Sequence, residues 1–397
     1  MHVDQQEMVQ EGLQHLLHVY NRFPIVLQQG TGTHVIDQNQ VQYLDFLSGI
    51  AVNALGMAYP QIVQAIITEA QKISHVSNFF YTETNIRLAK RLCDISFAKK
   101  VFFCNSGAEA IESAMKISRK YFARQEKEQY EIISFHQSFH GRTLGALSVT
   151  GQTKYQKGFE PLLPGIRFAH LNDLNSVKAV LTPKTAAVLI EPIQGEGGVF
   201  PCEEKFLKEL RKLTQENNIL LILDEIQTGL GRTGKMWAYE HYKITPDILT
   251  SAKALGGGLP MGALLVTDQV AEAFHPGDHA TTFGGNPIVS AASLAMLEII
   301  SAPQFLDNVT QQGDYLKEKL LHLRSKFPEK IVEIRGQGLM WGIEVTVSAR
   351  DLVQGCLQKG LLISSAGDNV IRLLPPLIVT KSEIDLAIEK LMKVISE

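Results

Sequence analysis

Three stretches of this sequence carry residue types that chemistry uses. Thr250-Ser-Ala-Lys253-Ala-Leu-Gly256-Gly257-Gly258 sets one lysine just past an apolar strand and ahead of three glycines. An amine buried against closely approaching backbone has a lowered pKa and is ready to form a Schiff base. The plainer alternative is an exposed loop lysine. Ile219-Leu-Leu-Ile-Leu-Asp224 is an apolar strand that ends in a carboxylate. In an open α/β sheet, ligands lie at the carboxyl ends of the strands, and a buried carboxylate there needs a positive partner. The plainer alternative is an Asp that caps the following segment. Asn105-Ser106-Gly107-Ala108-Glu109 follows the apolar run Val101 to Phe103 and opens a helix. Ser106 and Glu109 have capping-box spacing, and the same helix start can offer free N–H groups to a phosphate.

A phosphate cradle, a carboxylate and an amine together form the set that pyridoxal phosphate requires: an anchor for its phosphate, an acid on its ring nitrogen and a lysine for its aldehyde. Other motif matches are weaker. Gly229-Leu-Gly231-Arg-Thr-Gly234 fits a dinucleotide fingerprint, but Asp224 to Thr228 separate it from the strand, and the region about twenty positions on holds Lys253 rather than an acid. The phosphate-loop version of the same stretch fails at Met236, where a hydroxyl is needed. His136 and His140 are four apart, as a metal pair on a helix would be. Ser138 and Gly141 make that stretch a loop, and no third ligand lies nearby, so two ordinary histidines and no metal are expected.

These groups need a scaffold. Apolar runs at Val101 to Phe103, Ile132 to Phe135, Ala186 to Ile190, Ile219 to Leu223 and Ala263 to Val266 alternate with helical patterns such as Ala108 to Phe122. Runs apolar at every residue suit strands covered on both faces, which predicts an α/β fold with a mostly parallel sheet. After about residue 290 the pattern changes to a smaller α+β unit. It has a helix near Phe305 to Leu323, strands at Ile331 to Ile334, Trp341 to Val345 and Val370 to Leu374, and a closing helix behind Thr380-x-x-Glu383.

Composition narrows the function classes. The 397 residues are 45% hydrophobic and 20% charged, ordinary for a folded soluble protein. A formal charge of -3 gives no reason to expect nucleic acid or a membrane surface. Cys93, Cys104, Cys202 and Cys356 are far apart, so neither a disulfide framework nor a zinc finger is expected. The opening residues carry Asp4, Glu7 and Glu11, with no basic start ahead of an apolar core. The uncharged run Phe46 to Thr68 includes Asn53, Pro60, Gln61 and Gln64, which suits lipid badly. A cytoplasmic location is expected.

Seven blocks carry a resemblance: FFCNSGAEA at 102–110, SFHGRTLGALSVTG at 138–151, EPIQGEGG at 191–198, LDEIQTGLGRTG at 223–234, AKALGGGLPMGA at 252–263, TTFGGNP at 281–287 and IRLLPPL at 371–377. In these the chain resembles the class III pyridoxal-phosphate aminotransferases, and within them the acetylornithine aminotransferases, over nearly its whole length. The resemblance implies an aspartate-aminotransferase-like (fold type I) architecture. Residues 46–290 would be the large cofactor domain and 291–397 the small domain, with 1–45 packing on the small one. It also implies a homodimer with shared active sites.

By the same resemblance, Lys253 is the cofactor-binding lysine and Asp224 the partner of the ring nitrogen. Ser106, Gly107 and Ala108 hold the phosphate, Phe139 stacks on the ring, and Glu225, Ile226 and Gln227 complete the cofactor's surroundings, Gln227 near the ring hydroxyl. Thr282 reaches the phosphate of the neighbouring subunit's cofactor. Arg142 grips a substrate carboxylate, Thr281 lies near substrate, and Glu196 and Arg372 form a pair near the reacting carbon. The implied reaction passes the terminal amino group of N-acetylornithine to 2-oxoglutarate, in arginine biosynthesis. Alternatives are other ω-aminotransferases acting on succinylornithine, succinyldiaminopimelate, ornithine or 4-aminobutyrate, a racemase or mutase, and a regulatory protein that keeps the fold. The family often reads Gly-His-x-His-Pro where this chain has Gly56-Met57-Ala58-Tyr59-Pro60, which touches the expected entrance loop. Related ornithine enzymes carry a tyrosine near the position of Gly49 and Ile50, and its lack here favours an N-acylated donor.

Overall fold

In the apolar runs, successive residues face two different cores. Val188 and Ile190 join the larger core cluster while Ala187 and Leu189 join a second one; Leu221 and Leu223 oppose Leu220 and Ile222 in the same way. That is the period-two geometry of a strand covered on both faces. The computed structural model describes residues 4–397. Its central sheet runs in the order Lys100–Cys104, Gly262–Val266, Ile248–Ser251, Leu220–Asp224, Thr185–Ile190, Glu131–Phe135 and Ile166–Ala169. Gly262–Val266 is antiparallel to both its neighbours, and the other pairings are parallel. Lys100–Cys104, reached through that antiparallel strand, therefore points the same way as the parallel set.

This polarity assembles the chemistry. The carboxyl ends of the parallel strands share one edge, and the segments that leave there carry Asn105 to Ala108, Ser138 and Phe139, Glu191, Asp224 and Lys253. The helix Gly107–Ala123 begins at this edge and buries Ile111, Ala114, Met115, Tyr121 and Phe122 against the sheet.

Two smaller sheets flank this layer. Leu27–Thr31, His34–Asp37 and Gln42–Asp45 form an antiparallel set, and Leu361–Leu362 joins it beside Gln42–Asp45. Ile331–Gln337, Met340–Val345, Val370–Leu373 and Ser364–Ala366 form an antiparallel sheet of their own. The capping box at Thr380 and Glu383 is formed and opens the last helix, Lys381–Ser396. The main core runs without a break from Leu44 to Ile395, so early and late parts of the chain pack together. Among the described residues no single helix is long and apolar enough to cross a membrane.

One turn is strained. Ser48, Gly49, Ile50 and Ala51 all have positive φ, at 47°, 64°, 64° and 62°. For a β-branched residue such as Ile50 this conformation is costly. Hydrogen bonds hold it: Asp45 Oδ1 accepts from Leu47 N and Ser48 N at 2.9 and 2.7 Å, and Ser48 Oγ donates to the Leu374 carbonyl at 2.7 Å. The turn delivers Val52 to the wall of the main cavity.

Candidate active site

A cavity of about 410 Å³ opens at the carboxyl edge of the sheet. Ser106, Gly107, Ala108, Phe139, Glu196, Asp224, Ile226, Gln227 and Lys253 line it, together with Val52, His140 and Glu191.

Its phosphate end is a helix start. Ser106 Oγ accepts from Glu109 N at 3.2 Å, and the Glu109 carboxylate reaches back to Asn105 N. That reciprocal capping leaves the Gly107 and Ala108 N–H groups without an intrahelical partner, aimed outward from a helix dipole. The turn is also close-packed. A Cβ on Gly107 would fall 2.8 Å from Ile226 Cδ1, and one on Gly141, at φ 138°, would fall 2.7 Å from Ala108 Cβ. A phosphate fits such a cradle because backbone, rather than side chains, faces it.

Asp224 is buried and held from several sides. Its Oδ2 lies 2.7 Å from His140 Nδ1, and its Oδ1 accepts from Ile226 N at 3.0 Å and Thr250 Oγ1 at 3.3 Å. His140 is itself buried, and its Nε2 has no partner among the described residues. Glu191 lies nearby and accepts from Phe139 N and Gly195 N; burial pushes its carboxyl up to about 7. Lys253 is half-buried in the cavity wall at φ 47°. Burial pulls its ammonium below the ordinary value, with Arg372 acting the same way and Glu196, Asp224 and Glu191 opposing. Pyridoxal phosphate fits this arrangement. The N–H cradle suits its phosphate, the braced carboxylate suits a protonated ring nitrogen, and the amine of lowered pKa suits its aldehyde.

Arg372 is almost fully buried. One guanidinium nitrogen reaches Glu196 Oε1 at 2.5 Å and Gln227 Oε1 at 3.2 Å. Burial would raise the Glu196 carboxyl, but Arg372 and Lys253 outweigh it and hold the pKa low. Arg142 lies outside the lining set, its guanidinium carbon 4.0 Å from the Tyr155 ring centre and 5.6 Å from that of Phe139.

Arg372 contributes no lining atoms itself, and Glu225, Thr282 and Thr281 sit off the cavity wall as well. The Glu225 carboxylate turns away from the cavity to accept from Ala238 N and Tyr239 N, and burial pushes it up to about 8. Thr282 lines a separate pocket with His75, Asn78 and Phe283. Thr281 does not line the Lys253 cavity either, though its Oγ1 accepts from Asn105 Nδ2 at 3.2 Å. Met57 packs with Val35, Tyr43 and Leu357, away from the cavity lining. Sequence reasoning left His140 as an ordinary histidine and passed over Glu191. His136 stacks on His170, whereas His140 turns to Asp224. The available signal was the buried Asp224, which demanded a partner from a neighbouring loop.

The comparisons agree with this geometry. The description "Aminotransferase class-III" matches residues 17–395. The acetylornithine aminotransferase of Caldanaerobacter subterraneus subsp. tengcongensis is 48% identical over 96% of this chain and 98% of its own length. That of Methanocaldococcus jannaschii is 48% identical over 96% of each chain. The ornithine aminotransferase of Toxoplasma gondii superposes with a TM-score of 0.95 at 31% identity, over 99% of this chain and 95% of that one. A second structure of that protein carries pyridoxal phosphate at partial occupancy in its active site. With the family pattern running through all but the ends of the sequence, this chain belongs to the class III aminotransferases and is a pyridoxal-phosphate-dependent transaminase.

Proposed function

We propose that the chain is an N-acetylornithine:2-oxoglutarate aminotransferase. It would move the terminal amino group of N-acetylornithine to 2-oxoglutarate, giving N-acetylglutamate semialdehyde and glutamate, as a step of arginine biosynthesis. The names of the relatives above support the substrate. The observation that carries the reading is the Glu196–Arg372 pair beside Lys253. The two donors present different groups near the reacting nitrogen. Glutamate has a carboxylate there, which Arg372 can bind. The acylated ornithine has a methylene, and an unpaired buried cation would cost several kcal/mol. A carboxylate that pairs with Arg372 for one donor and releases it for the other serves both.

Bound pyridoxal phosphate supplies a cationic ring that accepts electrons as the substrate carbon loses its proton. The chain's own residues do the rest. Asp224, fixed by His140 and the Ile226 N–H, holds the ring nitrogen protonated. Lys253, with its pKa lowered, has a share of neutral amine to act as general base and then acid at the substrate carbon. Arg142 grips the carboxylate far from the reacting amine, as a planar guanidinium can with two hydrogen bonds.

The same proposal includes a cytoplasmic homodimer whose sites are shared. The separate pocket of Thr282 supports this, as do the exposed rings of Phe79, Phe80 and Tyr81. It also includes the division at residues 46 and 291, with pairing of Gln42–Asp45 to Leu361–Leu362 supporting a link between 1–45 and the small domain. The likeness to an ornithine enzyme favours ornithine as the second reading. A panel of donors with steady-state kinetics separates the two: N-acetylornithine should have the highest kcat/KM, and a higher value for free ornithine would overturn the assignment.

A further inference from the structure

Arg142 is exposed, and its guanidinium rests on an aromatic ring instead of a carboxylate. The ring belongs to Tyr155, in the short helix Thr153–Gln156. Two glutamines anchor that helix on either side of Tyr155. Gln152 Nε2 donates to the Gln137 and Ser138 carbonyls at 3.3 and 3.2 Å, next to Phe139. Gln156 Nε2 donates to the Leu147 and Thr150 carbonyls at 3.3 and 2.8 Å. The Tyr155 ring meets Phe139 edge-on, with centres 5.9 Å apart at 82°. One rigid shelf therefore touches both the arginine and the ring lining the cofactor cavity.

A second cation shares the shelf. Lys154 Nζ lies 5.2 Å from the same ring centre, but it also lies 3.8 Å from the Asp368 carboxylate. Arg142 has no such counter-charge among the described residues. A guanidinium stacked on an aromatic face keeps its in-plane N–H groups free for a carboxylate, and the stack limits the rotamers it must give up on binding.

We propose that Tyr155 is a positioning residue, the shelf that pre-orients Arg142 for the distal carboxylate of both substrates. This rests on the reading of Arg142 as the carboxylate-binding residue. The ring matters and the hydroxyl does not, so Tyr155→Phe keeps the function while Tyr155→Leu loses it. Tyr155→Met replaces the leucine variant if that one is insoluble.

The test uses the purified holoenzyme and measures KM and kcat for N-acetylornithine and 2-oxoglutarate, with the cofactor absorbance as a check on the Phe139 side. The loss of one exposed cation–π contact corresponds to roughly a two- to fivefold rise in KM. Tyr155→Leu should raise KM for both substrates by that factor with kcat held, and Tyr155→Phe should restore the wild-type values. A general packing defect would instead lower kcat or thermal stability without that split. Unchanged KM values in the leucine variant, or equal damage from the phenylalanine one, would overturn the proposal. Arg142→Ala in the same assay separates the two layers. If it raises both KM values and Tyr155→Leu does not, only the shelf is wrong. If it leaves them unchanged, the reading of Arg142 itself falls.

Discussion

Glu196 and Arg372 meet through a short contact of 2.5 Å, and Gln227 accepts from the same guanidinium nitrogen at 3.2 Å. Glu196 sits in Gly195-Glu196-Gly197-Gly198, and Arg372 sits inside a strand. The Arg372 side chain is 1% exposed, while the Glu196 side chain is 23% exposed and lines the cavity, so of the two it is Glu196 that a substrate can reach.

That asymmetry makes a prediction for each half-reaction. Glu196→Ala should impair the half-reaction with acylated ornithine while sparing or helping the one with glutamate. Arg372→Ala should do the reverse, slowing glutamate by the ~2–5 kcal/mol of a broken buried charge pair, roughly 30-fold to several thousand-fold. Single-turnover measurement of each half checks both. Equal slowing of both halves by both variants would favour a fixed bridge.

Lys253→Ala should abolish multiple turnover. Acid–base catalysis alone is worth ~10²–10⁴-fold, and loss of the covalent anchor adds to that. Near-normal turnover would remove Lys253 from the chemistry.

His140 should act on the cofactor through Asp224. Hydrogen bonds to charged groups are worth about 1.5–3 kcal/mol, so His140→Phe should slow turnover by roughly 10- to 150-fold. It should also shift the cofactor's absorbance titration, because Asp224 would lose its bond at 2.7 Å. His140→Asn, which keeps a donor, should recover part of the loss. An unaltered titration in the phenylalanine variant would show that Asp224 does not need the histidine.

Glu225 predicts a pH effect on stability. Burial raises its carboxyl from the usual 4.5 to about 8 in the folded chain. Between those values the folded state holds a proton that the unfolded state has released, so this residue's contribution weakens as pH rises. Glu225→Gln cannot ionise, so its melting temperature should gain on the wild type from about pH 5 to 8. A difference that stays flat or shrinks with pH would mean the carboxylate ionises freely beside the Ala238 and Tyr239 N–H groups.

The sheet was legible because most of its strands hold a continuous apolar run, as Ala186 to Ile190 and Leu220 to Leu223 do, which is what burial on both faces demands. Ile248–Ser251 was recognisable only from Lys253 behind it, and Ile166–Ala169 was missed, since Arg167 breaks the run. The closing helix was legible from its capping box. That Lys253, Asp224 and the Ser106 turn share one cavity was readable because each combines a reactive type with a strand end. Glu225 was misleading for a physical reason: neighbours in a segment leaving a strand need not share a direction, so Asp224 faces the cavity and Glu225 the backbone of residues 238 and 239. The contacts of Tyr155 were not readable, and those of His140 only as far as a buried Asp224 demands some partner, because both lie in which distant group they touch.

The bond from Ser48 Oγ to the Leu374 carbonyl joins residues 326 positions apart. On the ribosome, the N-terminal partner emerges early and waits for the other. A nascent chain with Leu374 still inside the exit tunnel already holds the phosphate turn, Asp224 and Lys253, but it cannot tie down the left-handed turn that carries Val52. Nor has it Arg372 to neutralise Glu196. Full assembly of the cavity therefore waits until Leu374 has left the tunnel, and a truncated product lacking Val370–Leu373 and Lys381–Ser396 would emerge with the chemistry encoded and the room for it unbuilt.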